Sequence, residues 1–564
     1  MQHDLVIRGG TVVDGSGLGS FGADVAVDDG LIVEVGRVSG RGTQELNATG
    51  AVVAPGFIDG HTHFDAQVFW DQLGTNSCWH GVTTVVMGNC GFTLAPTTPG
   101  LDGDLVMRNL EKAEDIPRDV LRAGIPEWTW ETYGEFRDTL TRVPKAINYH
   151  GYVGHSAIRT WVMGERAFTE KASEADLERM KDGLREALRS GALGFSTTRS
   201  PEHETADGDP VASRLATWDE VVELVHVLDE FPRSVFQFTQ TGTTTLRRGA
   251  HSDELERQVH DLAASTSATI MFTVTGFQKD GKDIYEGLEL VDSLNRVGRT
   301  VAHTPVRNLC TLASFEARMP FDSVPEWAEV RSLPLDEQGS ILRDPDRRRS
   351  LVAAAYSGTY KEGLITETQR PDDYGELLVV RRADGPNASV AELCGDSDPV
   401  DFIIQLALDS DFKQIFEQQI SNRDFSQTYD ALRHPATVIG ASDAGAHVGQ
   451  IASAELHTYL LAYWVRERGL FTLEQAVKMC TFDMAHAWGL EDRGLLVPGR
   501  AADLVIFDPD TVGPLPPEYV RDLPGGGRRL VQRATGIKNS IVNGVVAFSD
   551  GESTGEFAGR VLTR

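Results

Sequence analysis

Short apolar runs lie near both ends of the chain. Near the N-terminus four such runs are separated by turns rich in Gly and Asp, and similar runs return near the C-terminus. Apolar runs of this length, bounded by turn residues, are typical of β-strands. The pattern therefore predicts short strands at 4–8, 11–14, 23–27, 31–35, 502–507 and 537–547.

Between these ends, strand-like runs alternate with helical ones. Residues 173–188 carry apolar side chains at helical spacing, with Ser173 and Asp176 as a capping box, and they lead into an apolar run at 192–195. Such alternation predicts parallel strands, and over about 400 residues it predicts an α/β fold with a (β/α)8 barrel. The stretch 305–400 is rich in charge, Pro and Gly, and we interpret it as an insertion over the barrel mouth.

The charge balance restricts the kinds of partner. With 53 basic and 83 acidic residues the net charge is −30, and an acidic surface repels nucleic acids and anionic membranes. The same charge is also typical of an ordinary soluble surface. No run reaches the roughly 18 apolar residues that a membrane span requires. We therefore expect a small-molecule substrate and neither nucleic acid nor membrane as partner.

The cysteines and the N-terminus indicate a compartment. Five cysteines are widely spaced and odd in number, which favours reduced thiols over a disulfide framework. Met1 leads directly into strand-like sequence without the basic and apolar regions of a signal peptide. We expect a cytoplasmic protein, and the sequence leaves open whether it forms a homo-oligomer. The cysteines are Cys78, Cys90, Cys310, Cys394 and Cys480.

Two histidines at the end of an apolar run are the first candidates for chemistry. His61 and His63 follow the strand-like segment 50–57. Alternate residues of a strand point the same way, so the two imidazoles are able to hold one cation between them. A second apolar run, 437–447, reaches a carboxylate at Asp443, which is suited to act both as a metal ligand and as a base.

These segments resemble a known family. Pro55-Gly-Phe-Ile-Asp-Gly-His-Thr-His63 together with Ser442-Asp443 resembles the amidohydrolase superfamily. Further stretches are similar to its D-aminoacylase, or N-acyl-D-amino-acid deacylase, branch. Those stretches are 79–92, 153–159, 192–196 and 493–508.

The resemblance implies an architecture. It implies a TIM-like (β/α)8 barrel with a small β-sandwich domain built from both chain ends. The corresponding boundaries are 1–56 and 489–564 for the sandwich and 57–488 for the barrel, with the insertion at about 305–400.

The resemblance also implies a metal site at the C-terminal ends of the barrel strands, where such enzymes carry their chemistry. Its ligands are His61 and His63 after the first strand, Cys90 in Gly88-Asn-Cys-Gly-Phe92 after the second, and Asp443 after the last. A thiolate, two imidazoles and a carboxylate suit zinc, although other divalent metals remain open. Cys90 alternatively reads as a small buried apolar residue, and Asp443 as a helix N-cap.

The expected reaction is hydrolysis of an amide bond. A bound dication lowers the pKa of water to about 7. Asp443 is then the general acid/base that takes a proton from that water and returns it to the leaving nitrogen. His155 is a candidate donor to the oxyanion, with a structural histidine as the equal alternative.

The chain departs from the family at the fifth and sixth strands. Segments 234–240 and 269–275 contain none of the histidines that metal-dependent amidohydrolases usually carry there, which predicts one metal ion instead of two. Gln237 or Gln240 is a candidate hydrogen-bonding partner of the substrate. His303 is a candidate replacement ligand or substrate contact, and His447 a candidate pocket residue; both alternatively read as ordinary structural or loop histidines.

The substrate is less well defined than the chemistry. The resembled deacylases bind the substrate carboxylate with an arginine after the Ser-Asp strand, and 448–457 contains no arginine. Arg159, Arg199 and Arg307 are candidate anion receptors, each with a structural role as the alternative. An N-acyl-D-amino acid is thus a hypothesis from resemblance. Two other hypotheses stay open: lyase-type chemistry on the same metal site, and a non-catalytic binding protein on a degenerate barrel.

Overall fold

The computed structural model describes residues 2–97, 103–125, 127–239, 250–278, 281–360, 374–451 and 453–563, with no side chains described for 250–253. Over this range the chain has an α/β fold. All five cysteines are free thiols. Within the described ranges no helix has both the length and the apolar character needed to cross a bilayer.

The N-terminal strands follow the predicted apolar runs in part: the run 4–8 and the start of 11–14 lie in one strand, Gln2–Val12, and the apolar runs do not predict the strand Arg41–Asn47. In β1 the side chains of Leu5 and Ile7 are buried while those of Asp4 and Arg8 are not, because alternate residues of a strand face opposite sides. The strands are β1 (Gln2–Val12), β2 (Phe21–Asp28), β3 (Leu31–Gly36), β4 (Arg41–Asn47) and β5 (Val52–Pro55).

Strands and helices then alternate up to residue 304. The strands are β6 (Phe57–Asp59), β7 (Val82–Met87), β8 (Asn148–Gly151), β9 (Val153–Gly154), β10 (Gly194–Thr198), β11 (Val235–Thr239), β12 (Thr269–Thr273) and β13 (Arg299–Thr304). The helices are α1 (Asp104–Ala113), α2 (Arg118–Gly124), α3 (Tyr133–Arg142), α4 (His155–Met163), α5 (Glu174–Arg189), α6 (Trp218–Leu228), α7 (Ala250–Ser265) and α8 (Lys282–Leu294).

The capping box at the start of α5 is confirmed. Ser173 accepts a hydrogen bond from the backbone N–H of Asp176, and the Asp176 carboxylate accepts one from the backbone N–H of Ser173. The helix therefore begins where its polar N-terminal signal predicts.

Residues 310–419 form a separate layer with its own apolar core. Trp327 and Phe321 stack at its centre, with ring centroids 3.8 Å apart, and the core extends from Ala313 to Phe416. The elements are β14 (Cys310–Ala313), α9 (Pro325–Arg331), α10 (Leu335–Arg343), α11 (Pro345–Ser357), β15 (Leu377–Val379), α12 (Val390–Leu393), α13 (Pro399–Asp409) and β16 (Phe416–Gln419). The strands pair antiparallel in the order β14-β16-β15.

The remaining elements include one strand of a parallel sheet, four strands of the sheet at the chain ends, and two separate two-stranded sheets. They are α14 (Phe425–Arg433), β17 (Thr437–Ile439), α15 (Leu456–Tyr459), a π-helix (Leu460–Glu467), α16 (Leu473–Cys480), α17 (Phe482–Trp488), β18 (Leu504–Phe507), β19 (Gly513–Pro514), β20 (Glu518–Leu523), β21 (Gly527–Val531), β22 (Ala534–Thr535), β23 (Ile537–Val542), β24 (Val545–Ser549) and β25 (Glu552–Ser553). The strand of the parallel sheet is β17, and the two-stranded sheets are β19-β22 and β20-β21.

Two parallel sheets carry the candidate chemistry. One has the order β6-β7-β8 and the other β17-β13-β12-β11-β10-β9. Just beyond β6 and β17 the two sheets touch: Thr62 and Ala444 form a parallel bridge, and the His63 N–H donates to the Ala444 carbonyl at 2.7 Å. The carboxyl ends of the strands from both sheets therefore lie close together at this point.

A nine-stranded sheet joins the two chain ends. Its order is β25-β24-β23-β18-β5-β1-β2-β3, with β4 paired to β1. The buried Asp503 side chain accepts hydrogen bonds from the Asn543 N–H at 2.7 Å and the Asn148 amide at 3.0 Å, and it pairs with Arg493. These bonds fasten the sheet to β8, because Asn148 is the first residue of that strand.

Candidate metal centre and active site

His61 and His63 lie directly after β6 and are buried. Their ring centroids are 5.5 Å apart. The ligand atoms of His61, His63 and Cys90 all lie within 4.8 Å of one another, as the spacing of the two histidines predicts. Burial lowers the pKa of His61 to about 4, although Asp443 acts in the opposite direction. His61 is therefore a neutral imidazole, the form that binds metals.

Cys90 lies in a short turn, Asn89–Gly91, that follows β7. Its backbone has the left-handed conformation, with φ 57°, and its sulfur lies 3.5 Å from His61 Nε2. Burial raises the pKa of the thiol to about 11. A thiol with so high a pKa ionises at neutral pH only where a cation stabilises the thiolate.

Asp443 approaches the histidines from the end of β17. One carboxylate oxygen, Oδ1, lies 3.2 Å from His61 Nε2 and 3.8 Å from His63 Nε2. Burial raises the pKa of Asp443, but His63 and His61 outweigh this effect and hold the pKa well below its usual 3.8. The side chain remains 26% exposed, whereas those of His61 and His63 are almost fully buried.

The donor set fits a divalent ion of the zinc type. Donors of a tetrahedral ion with bonds of about 2.0–2.3 Å lie roughly 3.3–3.7 Å apart, and the contacts between His61, Cys90 and Asp443 fall close to this range. Both ring nitrogens of His63 are buried, and neither makes a hydrogen bond within the described part of the chain. Buried imidazole nitrogens without partners are costly unless something else binds them.

Glu114 is a carboxylate of this site that the sequence did not indicate. It caps the C-terminus of α1, its side chain is 2% exposed, and its Oε2 lies 3.5 Å from His63 Nε2. Burial raises the pKa of Glu114 to about 8, with His63 opposing. The sequence carries no local signal for this contact, because Glu114 lies at the end of a helix and not at the end of a barrel strand.

His447 lies at the rim of the same group. Its Nε2 is 3.9 Å from Glu114 Oε2, its backbone N–H donates to the Glu114 carbonyl at 2.6 Å, and its side chain is 20% exposed. Burial lowers its pKa, with Asp443 and Asp115 opposing. The structure thus brings His447 beside the centre, as expected for a pocket residue.

His303 contacts the far side of His61. The Nδ1 atoms of the two rings are 3.3 Å apart, whereas Cys90 and Asp443 approach His61 through Nε2. His303 also stacks on Trp488, with centroids 5.2 Å apart. This placement favours a role in supporting His61 over direct contact with a substrate.

His155 and Arg159 belong to a different cluster. His155 Nδ1 hydrogen-bonds Thr197 Oγ1 at 2.8 Å, and its Nε2 hydrogen-bonds Glu220 at 2.9 Å. Arg159 donates to both oxygens of Glu220 and to the Glu170 carbonyl. Both side chains are fully buried, so these contacts favour structural roles over the oxyanion and substrate contacts expected from the sequence.

The remaining predicted substrate contacts differ in whether their polar atoms already have partners within the protein. Arg307 is held between Glu417 and Glu455, at 2.5 and 3.2 Å, which accounts for its charge. Gln237 accepts the Cys90 N–H and donates to Thr239, so its amide is also engaged. Arg199 donates to the Ala216 carbonyl and has no carboxylate partner within the described ranges. Gln240 lies outside the described residues.

Known proteins are similar to this chain along its whole length. An N-acyl-D-aspartate deacylase of Alcaligenes xylosoxydans xylosoxydans is 29% identical and covers 100% of this chain and 95% of its own length. A D-aminoacylase of the same organism is 28% identical, with 100% and 98% covered. The fold matches a solved structure of N-acyl-D-glutamate deacylase from Bordetella bronchiseptica, complexed with zinc and a phosphonate inhibitor, at a TM-score of 0.66, 22% identity and complete coverage of both chains.

The family model is the strongest match. Residues 44–323 and 389–548 match the model described as "Amidohydrolase family", and the gap between them falls within the separate layer at 310–419. The matched residues are well over half of the chain. The chain therefore belongs to the amidohydrolase family and is a metal-dependent hydrolase.

Proposed function

We propose that this protein hydrolyses a non-peptide amide bond with one divalent ion, zinc in the first instance, held by His61, His63, Cys90 and Asp443. The observation that carries the proposal is the convergence of these donor atoms from the ends of β6, β7 and β17. The buried ring nitrogens of His63, which have no partner in the described chain, add to it. Neutral imidazole, thiolate and carboxylate are the ligands that zinc prefers.

The residues of the centre divide the work. A bound divalent ion supplies a water of lowered pKa and polarises the substrate carbonyl. Asp443 takes the proton of the attacking water and returns it to the leaving nitrogen, because it alone combines contact with both histidines and an accessible carboxylate. His303 contacts the side of His61 away from Asp443, and Glu114 lies beside Nε2 of His63.

Several contacts support one ion rather than two. The Gln237 amide, at the end of β11, is already committed to Cys90 and Thr239. Its neighbour in register on β12 is Met271, a poor zinc ligand. His303 packs on the side of His61 away from Cys90.

An N-acyl-D-amino acid is the proposed substrate class. The names of two curated relatives support it, since both are deacylases of this type. Of the predicted anion receptors, Arg199 retains an uncompensated charge in the described chain, so we assign it the substrate carboxylate. Burial lowers the pKa of Arg199, and Glu220 opposes this effect. An anion bound beside the guanidinium would stabilise its charge.

We also propose the architecture that positions the centre. The two parallel sheets contain nine strands, of which β8 and β9 are separated only by Tyr152 and count as one barrel strand. Together with the bridge between Thr62 and Ala444, these strands support a closed (β/α)8 barrel over 57–488. The nine-stranded sheet supports a β-sandwich domain from 1–56 and 489–564, and the separate core at 313–416 supports an insertion. We further propose that the substrate is a small molecule and that the protein is cytoplasmic.

The metal content of the purified protein tests the proposal. We expect about one zinc-like ion per chain by plasma mass spectrometry, lost in His61→Ala, together with cleavage of N-acyl-D-amino acids and not their L-enantiomers. Product mass separates addition of water from fragmentation. About two ions per chain, or cleavage of neither enantiomer, would contradict the corresponding part of the proposal.

A further inference from the structure

Cys90 is enclosed by a ring of hydrogen bonds from the end of β11. Its backbone N–H donates to Gln237 Oε1 at 2.9 Å. The other end of that amide, Nε2, donates to Thr239 Oγ1, also at 2.9 Å. The Thr239 hydroxyl donates in turn to the Cys90 sulfur at 3.2 Å. Two side chains of one strand therefore hydrogen-bond Cys90, one at its backbone and the other at its sulfur.

The directions of the two bonds made by the Gln237 amide are fixed. A backbone N–H only donates, so the Gln237 oxygen must face Cys90 and its NH₂ group must face Thr239. Because Thr239 Oγ1 accepts from that NH₂ group, its own proton is free to point at the sulfur. The ring thus places the Thr239 hydroxyl 3.2 Å from Sγ and holds the sulfur in one position.

The turn that carries Cys90 needs such support. Cys90 has φ 57° and lies between Gly88, with φ 76°, and Gly91, with φ 81°. A residue other than glycine is strained at positive φ, because its Cβ crowds the backbone. Ser196, the register neighbour of Gln237 on β10, accepts from the Gly91 N–H at 3.0 Å and donates to the Gly88 carbonyl. Two adjacent strands therefore hold the turn in this conformation.

We propose that Gln237 and Thr239 are positioning residues that fix Cys90 as a thiolate ligand of the metal centre. Gln237 sets the backbone of the turn, and Thr239 orients and stabilises the sulfur 3.5 Å from His61 Nε2. This inference rests on the proposed metal site and replaces the substrate contact expected of Gln237. It explains why a fully buried amide stands at the end of β11.

Titration with Co²⁺ tests the proposal, because a cobalt–thiolate bond gives a charge-transfer absorption that reports the sulfur directly. We expect Thr239→Val to weaken and shift this band and to lower Co²⁺ affinity about 10- to 100-fold, the usual effect of losing a supporting hydrogen bond. Thr239→Ser keeps the hydroxyl and is expected to restore both. Gln237→Met is expected to act like Thr239→Val.

Thr300→Val is the matched control. Thr300 is buried on β13, two strands from β11 in the same sheet, and its hydroxyl has no hydrogen-bond partner in the described chain. It is expected to leave the Co²⁺ spectrum and affinity unchanged. Thermal unfolding of each variant separates loss of the fold from loss of the ligand. If Gln237→Met does not fold, the Thr239→Val and Thr239→Ser pair decides alone.

The outcomes separate this inference from the proposed function. Wild-type Co²⁺ binding with a thiolate band that Thr239→Val and Gln237→Met leave intact would overturn the positioning role and keep the metal site. Binding without a thiolate band, unchanged in Cys90→Ala, would remove Cys90 from the ligands and the inference with it. Absence of binding by the wild-type protein would overturn both.

Discussion

Two buried histidines show how differently the same residue type is used in this molecule. His155 is surrounded by partners: Thr197 bonds one ring nitrogen, Glu220 bonds the other, and Arg159 balances the carboxylate. Both ring nitrogens of His155 and both oxygens of Glu220 are engaged, and the buried Arg159 Nε is the one nitrogen of that guanidinium without a partner in the described chain. The histidine itself is therefore satisfied, as buried polar groups in a stable core normally are.

His63 has the opposite surroundings. Neither of its ring nitrogens makes a hydrogen bond in the described chain, and Glu114 Oε1 is likewise buried without a partner. Glu114 and Asp443 place two carboxylates within 4 Å of its Nε2. An unpaired buried polar atom costs about 1–3 kcal/mol. The comparison teaches that hydrogen-bond accounting, and not residue type, separates the structural cluster from the binding centre.

The largest expected effect comes from the accessible carboxylate of the centre. Asp443→Asn removes the charge and the proton acceptor while keeping the shape, so kcat for the best acylated amino acid is expected to fall by about 10²- to 10⁴-fold. The free energy of unfolding is expected to change little, because the side chain is partly exposed. Retention of more than a tenth of the activity would show that another group carries the proton.

Glu220→Gln is the reverse case, expected to damage the fold and spare the chemistry. It leaves Arg159 as a buried cation without its carboxylate. Loss of one member of a buried ion pair costs about 3–5 kcal/mol, measurable as a lower urea midpoint. Metal content is expected to stay at the wild-type level.

Glu223→Gln provides the control for that substitution. Glu223 lies on the same helix, α6, but is 52% exposed and pairs with Lys181 at the surface. Its loss is expected to cost no more than about 1 kcal/mol. If Glu220→Gln instead lowered metal content at unchanged stability, the assignment of His155 and Arg159 to a structural cluster would be wrong.

Local signals in the sequence predicted the local parts of the structure. The apolar runs gave strands such as β11 and β12, within 234–240 and 269–275, and the Ser173 capping box gave the start of α5. The spacing of His61 and His63 predicted a shared cation site because strand alternation fixes side-chain direction within a few residues.

Pairings between distant residues could not be predicted in the same way. Glu114 meets His63 from the end of a helix, and Arg307 meets Glu417 and Glu455 more than a hundred residues away. The sequence around Arg307 looks the same whether its charge is free or compensated. Only the three-dimensional packing distinguishes an anion receptor from a buried ion pair.

Glu114→Gln tests the contact between Glu114 and His63 in the metal centre. It removes a carboxyl group 3.5 Å from His63 Nε2 whose pKa burial raises to about 8. Above pH 8, where this carboxyl group is charged, zinc affinity measured by calorimetry is expected to weaken about tenfold. Asp115→Asn removes a charge one residue further on, from a side chain that accepts a hydrogen bond from Gln450. An equal loss in both variants would indicate a general charge effect in place of a contact with His63.

The smallest expected effect is a pH dependence that arises from another satisfied histidine, His80. Its Nε2 hydrogen-bonds the Gln532 carbonyl at 3.1 Å and its Nδ1 the Thr458 hydroxyl at 2.7 Å. Burial lowers the pKa of His80 from 6.5 to about 3. Between pH 6.5 and about 3 the unfolded chain therefore binds a proton at His80 that the folded chain does not bind. The free energy of unfolding falls as the pH drops through this window and is fully present above pH 6.5.

The size of this effect is set by linkage. His80 contributes a slope of up to about 1.4 kcal/mol per pH unit below pH 6.5, measurable from urea unfolding at pH 7, 6 and 5. His80→Gln keeps a donor for the Gln532 carbonyl and has no titrating group, so its stability is expected to decline less steeply over the same range. Parallel curves for the two proteins would mean that other groups carry the acid sensitivity. A flatter curve would place His80 with His155, among the histidines that hold the fold by remaining neutral.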